Sequence, residues 1–162
     1  MRSICHKETC DRSVQKLYDL LRKRRQSIIP GNTAGSVIMI DIDSFFEILT
    51  EVCDELPDAF FRELHQGVVL SEHAKLSPHA KNNDLVIMGE YRSSRYGNQI
   101  TIYYGSFART CPSDDREYLK DRLREVVRHE FRHHMENLGG MHGRDSLEYE
   151  DKVNLRKYLR SD

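Results

Sequence analysis

The sequence predicts an α+β fold in which a small sheet, mostly antiparallel or mixed, packs on one long helix. Three observations predict it. Short apolar runs at 68–70, 85–88 and 100–104 are separated by polar loops rich in Ser, Asn and Gly. A long helical pattern follows, with Leu119, Leu123, Val126, Val127 and Phe131 at helical spacing, and Gly139 and Gly140 close it. Further helical stripes stand before the strands and after the long helix.

Each element has its own signal. From Asp11 the residues Val14, Leu17, Tyr18 and Leu21 mark a helix that ends in the run Arg22, Lys23, Arg24, Arg25. Pro30, Gly31, Asn32 and Gly35 then read as a linker, so a basic N-terminal extension over 1–36 is expected ahead of a domain over 37–162. Ser44 with Glu47 three residues on resembles a capping box for a helix that buries Phe45, Ile48, Leu49, Val52 and Leu56. Pro57 stops it and suits the first turn of a second helix over 58–65, which Gly67 closes. Among the strands, 100–104 alternates best, with Ile100, Ile102 and Tyr104 on one face. Ser113, Asp114 and Asp115 supply caps for the long helix. A last helix from about 145 carries Leu147, Leu155, Tyr158 and Leu159.

Composition bounds the function. A chain of 162 residues can bury a core without disulfides, and 25 basic against 26 acidic residues give a formal charge of -1. That balance offers no general pull toward nucleic acid or membrane, and neither is expected as a partner. The four cysteines, Cys5, Cys10, Cys53 and Cys111, show no framework spacing, so reduced thiols in a cytoplasmic protein are expected. No apolar run approaches the roughly 20 residues of a membrane span.

Chemistry concentrates in His129, Glu130, Phe131, Arg132 and His133 on the long helix. Two histidines four apart project from one face about one turn from each other, as two ligands of one tetrahedral zinc must. Glu130 is rotated about 100° from His129, which disfavours it as a ligand and suits it to reach a water held at the metal. A solvated histidine-rich face is the plainer alternative, since Arg132, His134 and Glu136 are also polar.

The chain resembles the minimal zincin-like domains, which are described as candidate zinc metallopeptidases. The resemblance runs from about residue 45 to 158. It is carried in order by Asp54-Glu55-Leu56-Pro57, Gly67-Val68-Val69-Leu70, Met88-Gly89-Glu90-Tyr91, Ile100-Thr101-Ile102-Tyr103-Tyr104 and the segment from Val127 to His134. It implies Zn2+ as cofactor, His129 and His133 as ligands, Glu130 as general base toward zinc-held water, and a peptide or protein as substrate. A catalytically silent metal-binding or interaction module on the same fold is the competing expectation. An extended peptide is expected to add along an edge of the sheet, with the 100–104 strand as the candidate.

One departure matters. Many members place glycine three residues and a metal-binding aspartate six residues after the second histidine, where this chain has Glu136 and Gly139. A third protein ligand must then come from beyond the turn, from His142, Asp145, Glu148, Glu150 or Asp151. Glu148 is favoured, because it leads toward Leu155 and Leu159 at intervals of seven and eleven. Asp151 is the first reserve. Elsewhere, Cys5, His6 and Cys10 make only a weak metal pattern, and Arg22 to Arg25 fit a solvated helix end. His65, His73 and His79 have no ligand spacing, and Tyr91, Tyr103, Tyr104 and Tyr149 are read as packing aromatics.

Overall fold

The computed structural model describes residues 2–4, 39–141 and 146–160. The expected N-terminal helix with its basic run, the linker, Cys5, His6 and Cys10, and the ligand candidates His142 and Asp145 lie outside those residues. The class is α+β. Helix α1 spans Ile42–Asp54, α2 Tyr104–Thr110, α3 Arg116–Leu138 and α4 Leu147–Arg160. The strands are β1 Arg2–Ile4, β2 Val68–Ser71, β3 Lys75–Leu76, β4 Val86–Ile87, β5 Gly89–Ser94 and β6 Gly97–Tyr103.

Four strands form a mixed sheet in the order β1-β2-β6-β5. β6 runs parallel to β2 and antiparallel to β5, and β1 pairs antiparallel with β2. The outer strand β1 therefore comes from the segment expected as an extension. β3 and β4 make a separate antiparallel ribbon. Ile100 and Ile102 share one buried face of β6, as the alternation requires, and meet Leu119, Leu123, Val127 and Phe131 of α3 in one core. Phe45, Ile48, Leu49 and Val52 of α1 fill the same core.

Several local expectations change. Asp41, rather than Ser44, caps α1: its carboxylate accepts from the Asp43 and Ser44 N–H groups at 3.0 and 3.1 Å. The Ser44 hydroxyl adds a third bond to it at 2.8 Å, so an ionised acceptor outcompetes a hydroxyl. The helix expected over 58–65 is only a 3-10 turn, Asp58–Phe61, because Phe60 and Phe61 both turn onto Phe131, with ring centroids 6.4 and 4.9 Å away. Glu63 then takes φ 60°, which no right-handed helix contains. Tyr104 leaves the strand and opens α2, and its hydroxyl donates to the Ile40 carbonyl at 2.8 Å.

β5 has no apolar signature. Its residues Gly-Glu-Tyr-Arg-Ser-Ser suit an edge strand, where charged side chains face water and discourage pairing with other chains. The long helix begins at Arg116, capped by Asp115, and ends at Gly139, with Gly140 in the left-handed region at φ 65°. Across its solvated side, Glu55, which caps the end of α1, receives two bonds from Arg124 at 2.7 and 2.8 Å, and Glu51 receives Lys120 at 3.0 Å. Among the described residues no helix is long and apolar enough to cross a membrane.

Leu123, fully buried between sheet and α1, carries much of this packing. Leu123→Ala is expected to lower unfolding stability by about 2–5 kcal/mol, read from urea denaturation with an unchanged slope.

Candidate metal centre

His129 and His133 stand one turn apart on α3, with ring centroids 5.0 Å apart and planes at 82°. After Gly139 and Gly140 the chain returns, and α4 docks against α3 through Leu147, which is 5% exposed. The Leu147 N–H donates to the Glu136 carboxylate at 2.8 Å, and Arg132 holds the other oxygen of Glu136 at 2.9 Å. Arg132 also reaches Glu150 at 3.2 Å. An acid against the N-terminal end of α4 is favourable toward both its free N–H groups and its dipole. Glu136, which replaces the family's glycine, thus anchors the helix that must complete the site.

Asp151 is brought to the histidines. Its Oδ2 lies 3.0 Å from His133 Nε2 and 3.4 Å from His129 Nε2. All three donor atoms fall within 4.8 Å of one another. Ligands about 2.0–2.2 Å from one tetrahedral zinc sit roughly 3.3–3.5 Å apart, so this two-nitrogen, one-oxygen set fits zinc with small adjustments.

Glu148, the favoured third ligand, does not converge with the histidine pair; Asp151, the first reserve, does. Its side chain is 62% exposed and receives Lys152 at 2.6 Å, four residues on along α4. The reason is rotational phase. Leu147 is the residue that buries, and Asp151 lies one turn beyond it on the same side, whereas Glu148 is turned about 100° away. Glu150 is engaged by Arg132 and is not brought to the histidines. The spacing of four from Leu147 to Asp151 sets this phase only once Leu147 is known to be the buried residue.

Glu130 lies beside this cluster and is only 5% exposed. Burial pushes its carboxyl up to about 7, opposed by a hydrogen bond from the Tyr91 N–H and reinforced by the negative charges of Asp151 and Glu90. Strand and helix meet closely here. A Cβ on Gly89 would come within 2.7 Å of Val126 Cγ1 and 2.9 Å of Glu130 Oε1, so only glycine permits this approach.

His134 does not belong to a solvated face. It is fully buried, with Nε2 2.9 Å from the Arg62 carbonyl and Nδ1 3.4 Å from the Tyr91 hydroxyl. Burial lowers its pKa and favours the neutral ring. Glu90 is held below the usual carboxylate range: burial acts against this, but bonds from Lys75 at 2.6 Å and Tyr103 at 2.9 Å outweigh it. A cleft of about 500 Å³ runs past His129, Glu130 and His133 between Tyr91, Asn137 and Asp151. A second groove of about 340 Å³, lined by Ile87, Met88 and Val126, joins it at His129 and Glu130.

Two outcomes are expected. His129→Ala, His133→Ala and Asp151→Ala should each remove most zinc binding, measured by metal content after dialysis, while Glu148→Ala retains it; loss in Glu148→Ala with retention in Asp151→Ala would refute the ligand set. In metal-free protein, Glu130 takes up a proton on folding between its ordinary value of 4.5 and about 7. Its contribution is therefore full below pH 4.5 and lost as pH rises through 7, so Glu130→Gln should be more stable than wild type at pH 8 by on the order of 3 kcal/mol. The difference should shrink steadily toward pH 5 in parallel urea titrations.

The chain is similar to known proteins over the segment that carries the histidine pair. Residues 83–150, which contain His129, Glu130 and His133, match the zincin-like metallopeptidase family. A solved structure, a conserved hypothetical protein from Thermus thermophilus, is 30% identical in sequence, with a TM-score of 0.53. The similarity covers 63% of this chain and 100% of that one. No curated protein matches the chain. With the helix, its histidine pair and the full length of that relative accounted for, the chain belongs to the zincin-like metallopeptidase family.

Proposed function

We propose that the protein is a zinc-dependent peptidase that hydrolyses peptide bonds with Glu130 as general base. The observation that carries this reading is the placement of a buried carboxyl, pushed up to about 7, beside three converging donor atoms. His129, His133 and Asp151 would hold zinc, which when bound supplies Lewis acidity toward a scissile carbonyl and toward water. Glu130 takes a proton from the attacking water on a carboxylate oxygen and returns it to the departing amine nitrogen. The Tyr91 N–H keeps that carboxyl oriented while it does so.

The strand expected to take a peptide at its edge is an inner strand. β6 is paired on both sides, with β2 and β5, so the 100–104 segment offers no free edge. β5 is the outer strand at the other side of the sheet from β1, and it borders the cleft. In the pair Tyr91–Ile100, Ile100 gives its N–H to Gly67 on the opposite side, at 3.1 Å. Tyr91 therefore points its own backbone groups away from β6, and Ser93, two residues on, does the same. An extended peptide can pair with this edge and lie across the donor cluster. Cys53 and Cys111 are free thiols, which supports a cytoplasmic setting.

The test uses full-length, zinc-loaded protein and a library of quenched fluorescent peptides. Glu130→Gln should keep its zinc and lose at least about 100-fold in kcat, because an amide cannot accept the proton. Equal turnover by the variant would reject the mechanism. Absence of cleavage by zinc-loaded wild type would favour a silent binding module.

A further inference from the structure

Three residues of α3, Glu130, His134 and Asn137, follow one another at intervals of four and three, so they form a single stripe along the helix. All three close on Tyr91 of β5. The Glu130 carboxyl lies against the start of β5, on the side to which the Tyr91 backbone N–H points. His134 and Asn137 take the other end of the residue, its hydroxyl, at 3.4 and 3.0 Å.

The directions of these bonds are determined. His134 Nε2 faces the Arg62 carbonyl, which can only accept, so Nε2 carries the proton and Nδ1 is the acceptor. The Tyr91 hydroxyl consequently donates to His134 and accepts from the Asn137 amide. At its other end, the Tyr91 N–H points outward from an edge strand, where water would be its ordinary partner. Here the Glu130 carboxyl stands within reach of it instead. Two residues earlier, Gly89 lies against Val126 and Glu130 with no room for a Cβ, so the whole start of β5 is fitted to the same stripe.

We propose that Tyr91, gripped through its hydroxyl by His134 and Asn137, is a positioning residue that aims the Glu130 carboxyl through its backbone N–H and ties that carboxyl to the strand edge. Its catalytic consequence rests on the peptidase reading above. A glutamate has three rotatable side-chain bonds, and a general base must keep an oxygen within about 2.6–3.2 Å of the proton it takes. Displacement by about 1 Å costs on the order of 100-fold in rate. Because the same residue sets the edge on which a peptide would pair, base and substrate share one reference point.

Backbone amide exchange, followed by NMR on the full-length protein, reads the contact without requiring a substrate. The sheet does not protect the Tyr91 or the Ser93 N–H, since both face outward. In wild type the Tyr91 amide should exchange at least about tenfold more slowly than that of Ser93. Tyr91→Phe keeps the ring, which packs with its centroid 5.4 Å from His134, but lacks the hydroxyl. Asn137→Ala changes an exposed residue and should not threaten folding. In both variants the amide at 91 should approach the rate at 93 while those of Glu90 and Arg92 stay protected, and zinc content should be unchanged. On a peptide that the wild type cleaves, kcat should fall about 10- to 100-fold with KM nearly constant. Unchanged protection at 91 in both variants would overturn the proposal, as would loss of protection along all of β5, which marks a merely structural role. Amide behaviour as expected, without cleavage by wild type, would uphold the positioning and reject the peptidase reading.

Discussion

Glu130 gives up almost all contact with water where α3 meets β5, and a carboxyl cannot be withdrawn in this way without compensation. The surroundings supply it in three forms. A backbone N–H from Tyr91 is directed at the carboxylate, a proton is retained up to about 7, and the neighbouring donor cluster fits a divalent cation whose charge favours the ionised form. The same withdrawal that costs stability raises the basicity of the group. Gly89 is required for the contact, and the burial of His134 follows from the same close approach of strand and helix.

The return of α4 solves a separate problem. Two histidines on one helix supply two directions of a tetrahedron, and a third must come from another element. In this chain Glu136 occupies the position of a glycine common in the family and binds the first N–H of α4, while Arg132 bridges it to Glu150. With Leu147 buried beneath, the start of α4 is held at one rotation, and Asp151 faces the histidines. The departure from the family pattern is thus accompanied by a compensating contact. An acid outside the donor group secures the helix that carries one within it.

The edge of the sheet is polar for a related reason. Inner strands β2 and β6 bury Val68, Leu70, Ile100 and Ile102 and read clearly as apolar runs. β5 has one partner strand, and its outward backbone groups either meet Glu130 or border the cleft. An edge strand gains from Glu90 and Arg92, which discourage unspecific pairing. Such a strand leaves little hydrophobic pattern in the sequence. Its existence follows from the partner β6 and from the helix beneath it.

By itself the sequence determined the α+β class and the long capped helix, because both rest on local period and caps that neighbouring residues specify. It also set His129 and His133 on one face, since a spacing of four means the same side of any helix. Only the tertiary structure decided the remaining geometry. Asp41 displaced Ser44 as cap because its carboxylate found three donors, and Phe60 and Phe61 gave up a helix to reach Phe131. The choice of Asp151 over Glu148 depends on the rotation of α4, which is set by where Leu147 buries and what Glu136 binds. Those contacts join residues on opposite sides of a turn, and their phase is not encoded in the spacing on either side.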